Sequence, residues 1–535
     1  MAAKRSNRRI DTIWMIAREY AGLAETGGVK DVCRQLAEAL ARSRKKVRVV
    51  LPLYGFMAPE NLGFTKPALS FEVDMNYAAA ERREKVAFWS RAMNGVTVYL
   101  VDADRFREKK GIYTYSAAEE AADVSHRQGT GHFDYFATNV LLQKASIGLM
   151  VSLGEVPDII HCHDGHTAIL PAMIRELDFV RQYFRGTGAV VTIHNAGSGY
   201  HQEVGDLPFA GAVCGLPAHC IQGNLLANSF DPLLAASSYA VMNTVSENYA
   251  RELQETDDDK LTGWLGHRLL ARGVRLQGVT NGFNPDAFSP ADHDRLGLAA
   301  AFDPAAGDLA GKKACRKELC RITRQDEIAG VDKVGSLDFR PDQPLFSMIG
   351  RLMSQKGLDI LLGALAELLP IDRKFQIIVQ GTGAREIEEQ LAALAANRSF
   401  QGRICFLRGY EPAMANRIFA AGDFFLIPSR YEPCGLTDYM AQLMGNIPVV
   451  HHVGGLVKVL DGKTGFAFTE YSAEALGAAM IRVMRVYRHQ PDMIAEIQKA
   501  AVRHIAAHYT WDKVMKRYMT LYGAALKMAS DKKTG

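Results

Sequence analysis

Much that would signal a specialised chain is missing from these 535 residues. The eight cysteines never fall in a Cys-x-x-Cys spacing; Cys315 and Cys320 lie five apart in a charged helical run. Such scattered thiols are expected to be reduced, as in a cytoplasmic protein. The first residues lack the apolar core of a secretory signal, and no run of about 18 apolar residues occurs, so neither export nor membrane spanning is expected. There is no internal repeat and no low-complexity tract. Charge of one sign is also missing: 63 basic residues nearly balance 59 acidic ones, for a net +4. No nucleic-acid or other polyelectrolyte partner is indicated, and any phosphate site must be local. Basic residues cluster at Lys4 to Arg9 and Arg42 to Arg48. A solvated tail and a helix end before a strand account for them better than nucleic-acid binding does.

What is present is a chain long enough, at 48% hydrophobic residues, for two large domains with separate cores. The most informative stretch runs from Gly409 to Val459. Phe424 to Ile427 is a short, continuously apolar run suited to a buried parallel strand, and Pro428-Ser429 stops it. A polar loop then carries Glu432-Pro433-Cys434-Gly435-Leu436, a helical run covers Thr437 to Met444, and Ile447 to Val450 is the next buried strand. In an open α/β sheet, ligands sit at the carboxyl ends of strands and against helix N-termini. Glu432 and the amides of Cys434, Gly435 and Leu436 are thereby placed where a ligand lies.

This stretch, with Val453-Gly454-Gly455-Leu456 after it, closely resembles the glycogen and starch synthases, which are retaining glucosyltransferases. The resemblance implies an α/β fold of two Rossmann-like doubly wound domains facing across a deep cleft, the GT-B type. It implies a nucleotide-sugar donor, ADP-glucose before UDP-glucose, an α-1,4-glucan acceptor extended at its non-reducing end, and no cofactor or metal. Its implied domains are residues 1–295 on the acceptor side, 296–508 for the nucleotide sugar, and 509–535 as a helix crossing back to the first domain. A catalytically impaired glucan-binding or regulatory relative is the alternative.

Taken in order, Thr12 to Ala17 reads as a first buried strand, and Val29 to Arg42 has helical periodicity. The turn between them ends in Glu25-Thr26-Gly27-Gly28. A strand, a glycine turn and a helix aim free amides at an anion, although a purely structural turn predicts the same letters. In the synthases this loop reads Lys-x-Gly-Gly and touches the donor diphosphate, which implies that role for Thr26, Gly27 and Gly28. Here Glu25 stands in place of the lysine. Either Glu25 points away, or Arg18 or Lys30 supplies the cation, or the donor is used differently or not at all.

Val47 to Leu53 is the second strand, and residues 61 to 140 contain segments such as Val96 to Val101 that fit further sheet and hairpin. Phe133 and Tyr135 flank the start of a helix over Phe136 to Gly148 and are expected in the core. At Ile160-His161-Cys162-His163-Asp164-Gly165-His166 a strand ends in a polar cluster whose spacing does not set two metal ligands one helical turn apart. The resemblance implies that Asp164 lies near the transferred sugar and acceptor; tryptophan is usual where Gly165 stands. Val190 to Ile193 is capped by His194-Asn195-Ala196, similar to a family turn whose histidine reaches the donor glucose. The spacing over Gly197 to Gln202 departs from the family's. Ser246 reads as a helix N-cap, and Asn281-Gly282 as a strand-end turn near the site.

The charged segment from about Ser289 to Pro344 is the expected crossing to the second domain. Leu345 to Ile349 then leads into Gly350-Arg351 and on to Lys356-Gly357 before a helix over Leu358 to Leu369. Two cations straddling a strand-to-helix turn can bracket a diphosphate, Arg351 as a rigid fork and Lys356 as a mobile charge. The family uses this pair for the donor phosphates. Phe375 to Val379 precedes Gln380-Gly381-Thr382-Gly383, and Ile404 to Leu407 precedes Gly409-Tyr410. The resemblance implies that Gly383 contacts substrate and that the Tyr410 ring lies against the nucleotide base. Together with Glu432, His194 and Asp164 as groups acting on the sugar, these residues make up the expected site.

Overall fold

The computed structural model describes residues 9–66, 68–197 and 199–531. Of the first basic cluster only Arg9 falls within that range, and Ser198 also lies outside it. The chain forms two units, one of residues up to Gly282 together with those from Trp511, the other Phe283–Thr510.

In the first unit the strands are β1 (Thr12–Ile16), β2 (Lys46–Pro52), β3 (Ser70–Asp74), β4 (Arg83–Met93), β5 (Val96–Asp102), β6 (Ile159–His163), β7 (Gly188–Ile193), a small hairpin of β8 (Leu225–Leu226) and β9 (Ser229–Phe230), β10 (Val241–Thr244) and β11 (Gln277–Gly278). Nine of them form one sheet in the order β11-β10-β7-β6-β1-β2-β5-β4-β3. Pairing is parallel except at β3/β4 and β4/β5. Successive residues of β1 enter opposite cores: Ile13 and Met15 join one, Trp14 and Ile16 the other. Such two-sided burial is why parallel strands read as unbroken apolar runs. From β1 the chain builds outward through β2 and β5, then returns to lay β6 on the other side of β1. The switch point, where ligands bind in such sheets, is therefore at the carboxyl ends of β1 and β6.

The final helix, Trp511–Asp531, belongs to this unit. It seats Tyr518 and Tyr522 in the core with the helix Val29–Arg42. Trp511 Nε1 donates to Gln35 Oε1 at 2.7 Å. Gly188 is what lets it approach β7, because a Cβ there would stand 2.8 Å from the Ala525–Leu526 backbone. Phe133, expected in the core, is instead 86% exposed. It precedes the helix Tyr135–Ser152, and the buried face there is supplied by Phe136, Val140 and Leu141.

In the second unit the strands are β12 (Asp332–Gly335), β13 (Leu345–Ile349), β14 (Gln376–Gly381), β15 (Ile404–Arg408), β16 (Phe424–Ile427), β17 (Ile447–His451) and β18 (Phe466–Phe468). Their order is β12-β15-β14-β13-β16-β17-β18, with only β12 antiparallel. Phe424 and Leu426 face one core, Phe425 and Ile427 the other. The same argument places this sheet's switch point at the ends of β13 and β16. The border between units falls at Gly282/Phe283, ahead of the expected 295/296. Phe283 already packs on Tyr439 and Leu443, and Leu296 on the core of Phe302 and Leu319. The return passes at Thr510/Trp511, where the Phe283 amide bonds the Tyr509 carbonyl at 2.7 Å.

Candidate active site

At the switch point of the second unit, Lys356 Nζ donates to Glu432 Oε2 at 2.6 Å, and Ser429 Oγ adds a bond to the same oxygen at 3.0 Å. Gly357 makes this possible. Its φ of +77° and a would-be Cβ only 2.0 Å from the Pro428 carbonyl oxygen let the loop after β13 lie on the loop after β16. Burial pushes the Glu432 carboxyl up, but Lys356 and the Ser429 hydroxyl outweigh it and hold the group below the usual carboxylate range. Arg351 is exposed, and its guanidinium has no ion pair among the described residues.

Underneath the Glu432 loop lies a cation that the sequence reading missed. Buried Lys458 pairs with Asp438 at 3.1 Å and donates to the carbonyls of Cys434, Gly435 (2.9 Å) and Gly455 (3.1 Å). The C=O and N–H of a trans peptide point in opposite directions. With the carbonyls of Cys434 and Gly435 turned in to Lys458, the amides of Gly435 and Leu436 point away from it. Gly454 and Gly455 close the loop from behind: a Cβ on either would lie 1.9 Å from the Glu432 oxygen or 2.2 Å from that of Cys434. Burial raises the Asp438 carboxyl to about 6, against the pull of Lys458. A lone lysine in Leu456-Val457-Lys458-Val459-Leu460 was the signal for it, since a charge inside an apolar run is buried only when paired.

Two other residues of this unit stand differently from one another. Tyr410 is 65% exposed. Gly383, expected to contact substrate, commits its amide to Glu388 Oε1 at 2.8 Å. Its lack of a side chain instead serves packing, since a Cβ would stand 2.0 Å from the Leu352 oxygen.

In the first unit the loop after β1 corrects the sequence reading. The amides of Thr26 and Gly27, expected to be open to phosphate, donate to buried Glu19 Oε2 at 3.1 and 2.7 Å, and Tyr113 holds the other Glu19 oxygen at 2.7 Å. The turn does bind an anion, but one from its own chain. Only the Gly28 amide among these three has no acceptor among the described residues. Glu25 folds back onto the Gly22 amide and lies 3.8 Å from Lys30. Arg18 cannot be the compensating cation: it is buried and bonded to Tyr54 Oη, Asn139 Oδ1 and the Ile112 carbonyl.

Asp164, at the end of β6, is buried with a φ of +54° and accepts from the amides of His194 (2.6 Å) and Asn195 (3.3 Å). It thus fixes the loop after β7 to the loop after β6. Burial, helped by Glu19, lifts its carboxyl to about 8 despite the two amide bonds. His194 Nε2 meets His163 Nδ1 at 2.9 Å. Behind them His161 bridges Tyr522 Oη (3.0 Å) and Thr192 Oγ1 (2.7 Å). The Asn195 carbonyl oxygen of the side chain accepts from Gly197, and Asn281 is buried. Among the described residues these histidines form no metal-ligand group.

Burial holds His161 and His194 down to about 3. A folded-state pKa below the unfolded one gives stability that is present above pH 6.5 and lost as pH falls toward 3. Asp164 acts in the opposite sense, losing stability as pH rises from about 4 to 8. Asp438 acts in the same sense as Asp164 up to about pH 6, but burial also holds His163 and His166 well below the usual histidine range. Between pH 6.5 and 4 four histidines therefore outnumber two carboxyls, and the protein is expected to lose stability on acidification. Each such histidine contributes about 1.4 kcal/mol per pH unit. In urea titrations across that range His161→Gln is expected to flatten the profile; an unchanged slope would refute this assignment.

Gly165 explains two departures from the family pattern together. Its Cβ would lie 2.0 Å from the His201 oxygen and 2.7 Å from that of Tyr200, and its amide donates to the Tyr200 carbonyl at 3.1 Å. The respaced loop after His194 therefore occupies the room a tryptophan would need. His201, bonded to Asp231 at 2.8 Å and to the Ala196 carbonyl at 2.8 Å, anchors that loop. Gly165→Ala is expected to cost about 2 kcal/mol through the forced shift; thermal unfolding at wild-type Tm would contradict this.

The two sheets and their switch-point loops have the fold of two-domain GT-B glycosyltransferases. The catalytic domain of starch synthase IV from Arabidopsis thaliana, solved with ADP and acarbose, superposes with a TM-score of 0.79 at 23% identity, covering 97% of this chain and 99% of that one. Residues 12–267 match the family described as starch synthase catalytic domain, and residues 343–485 that of glycosyl transferases group 1. Glycogen synthase 2 of Geobacter sulfurreducens is 32% identical, covering 98% of this chain and 100% of its own, and the glycogen synthase of Anaeromyxobacter sp. 33% identical over 95% and 98%. The chain belongs to the glycogen synthase family and is a glucosyltransferase of glycogen synthesis.

Proposed function

We propose that the protein transfers glucose from ADP-glucose to the non-reducing end of an α-1,4-glucan with retention of configuration. The observation that carries this reading is the ion pair of Lys356 and Glu432 at the second switch point, beside the outward amides of Gly435 and Leu436 and the unpaired charge of Arg351. Breaking the bond between sugar C1 and the phosphate oxygen leaves positive charge on the ring and negative charge on the diphosphate. Arg351, Lys356 and the amides neutralise the latter, which then leaves without a general acid. Glu432 orients sugar hydroxyls and offsets the charge at C1, and the Tyr410 ring stacks on the base. In the first unit we assign His194 and Asp164, supported by Asn195 and Asn281, to recognition of a sugar, and the Gly28 amide to recognition of an anion. A cytoplasmic setting fits the eight buried free cysteines.

ADP as donor nucleotide accords with the ADP-bound starch synthase; UDP-glucose is the competing donor. An impaired glucan-binding relative is the other reading, prompted by Glu25 and Glu19 at the glycine turn. Purified protein given ADP-glucose or UDP-glucose with glycogen should release ADP in a glycogen-dependent manner and much less UDP. Silence with both donors would support the impaired relative. Glu25 is half-exposed beside Lys30, so Glu25→Lys should lower the KM for ADP-glucose about threefold. An unchanged KM would show that Glu25 does not oppose the donor.

A further inference from the structure

Apart from the groups assigned above, one cluster brings three different metal-ligand types together. Glu176 ends the helix Leu170–Glu176, and His219 with Cys220 lies in the short helix Ala218–Gln222. One ligand atom from each falls within 4.8 Å of the others, and this is the only such group among the described residues. Cys220 Sγ is 3.3 Å from His219 Nε2, which is 3.6 Å from Glu176 Oε2.

We propose that Glu176, His219 and Cys220 form a binding site for a divalent transition metal of the zinc class. Zinc bonds nitrogen and oxygen at about 2.0–2.1 Å and sulfur at about 2.3 Å in tetrahedral geometry. The ligand-to-ligand edges of that tetrahedron are about 3.3 Å from N to O and about 3.6 Å from N to S. Both observed edges lie within a few tenths of an ångström of these values, and the third, from Glu176 to Cys220, is at most 4.8 Å, a gap that side-chain rotation can close around an ion. Thiolate, imidazole and carboxylate together suit zinc or cobalt, whereas calcium and magnesium require oxygen.

The surroundings fit as well. Tyr239 Oη donates to Glu176 Oε1 at 2.7 Å, which orients the carboxylate and leaves Oε2 for the metal. The same hydroxyl is 3.3 Å from Cys220 Sγ. The His219 side chain is 68% exposed, so the ion has a path from solvent and water can take the fourth position. On binding, the metal replaces the thiol proton of Cys220, which passes to solvent, and no redox change is involved. The bound ion ties the helix ending at Glu176 to the Ala218–Gln222 turn, cross-linking the first unit.

The test uses the full chain after treatment with a chelator, titrated with Co2+ and, separately, dialysed against Zn2+. One Co2+ per chain is expected, with a near-ultraviolet thiolate-to-cobalt charge-transfer band that disappears in Cys220→Ser. Because a cysteine variant can misfold, the exposed His219→Ala change serves as second probe, with circular dichroism as control; its Zn2+ affinity should fall at least tenfold. Zn2+ should also raise the Tm of the wild type and not that of His219→Ala. Absence of the band in folded wild type, or a band and affinity unchanged in both variants, would overturn the site.

Discussion

Lys356→Ala is expected to lower kcat/KM for ADP-glucose about 10³-fold, the scale on which loss of a preorganised charge at a developing anion is felt. Two losses combine. On the proposed mechanism the leaving diphosphate would be deprived of a cation, and Glu432 is deprived of the partner 2.6 Å away that keeps it ionised against burial. With Ser429 and the charge of Lys458 left to it, the carboxyl should still titrate at higher pH, so the residual activity should also fall on acidification where the wild type is flat. Lys356→Arg retains the charge but replaces a compact ammonium with a planar fork, and should recover part of the rate. Steady-state kinetics across pH, with Tm measured alongside, checks this. A drop confined to KM, with an unshifted pH profile, would mean that Lys356 binds the donor without acting on the bond that breaks.

Asp164→Ala should affect the fold and the reaction together. It leaves the amides of His194 and Asn195 without their buried acceptor, at about 1–3 kcal/mol each, and puts alanine at a φ of +54°, which costs about 1 kcal/mol more. The expected destabilisation is therefore about 3–7 kcal/mol in urea unfolding near pH 4, where the raised pKa of the buried carboxyl carries little penalty. With the loop after β7 released from the loop after β6, His194 loses its position, and kcat should fall about 10²-fold. Asparagine tolerates this backbone conformation and keeps an acceptor oxygen, so Asp164→Asn should restore most of the stability. If alanine proves as stable as asparagine, the carboxyl does not hold the two loops together.

Certain elements could be read from the letters because their cause is local. Phe424–Ile427 and Leu345–Ile349 are continuous apolar runs bounded by polar or turn residues, and the helix Val29–Arg42 has a clean apolar stripe; each forms over the residues that pattern marks. Ser246 caps its helix through the Tyr249 amide, as its position before Glu247 suggests. β12 could not be read this way, since Asp332-Lys333-Val334-Gly335 becomes a strand only by pairing with the edge at β15. Partners distant in sequence were hidden for the same reason. Nothing local announces that Tyr522 reaches His161 or that Lys458 orients the carbonyls of Cys434 and Gly435, and even Glu19, within the same loop, meets the amides of Thr26 and Gly27 only through the fold of the turn. The compensation between Gly165 and the Tyr200–His201 backbone likewise exists only once two strand ends lie side by side.

At the centre of this account stands the claim that Arg351 and Lys356 are fixed receptors for the donor's diphosphate. Calorimetric titration of ADP and AMP into wild type, Arg351→Ala and Lys356→Ala tests it most directly. ADP binding should weaken at least tenfold in each variant, while AMP, lacking the second phosphate, binds all three proteins within about threefold of one another. Equal ADP affinity in the three proteins would contradict the account.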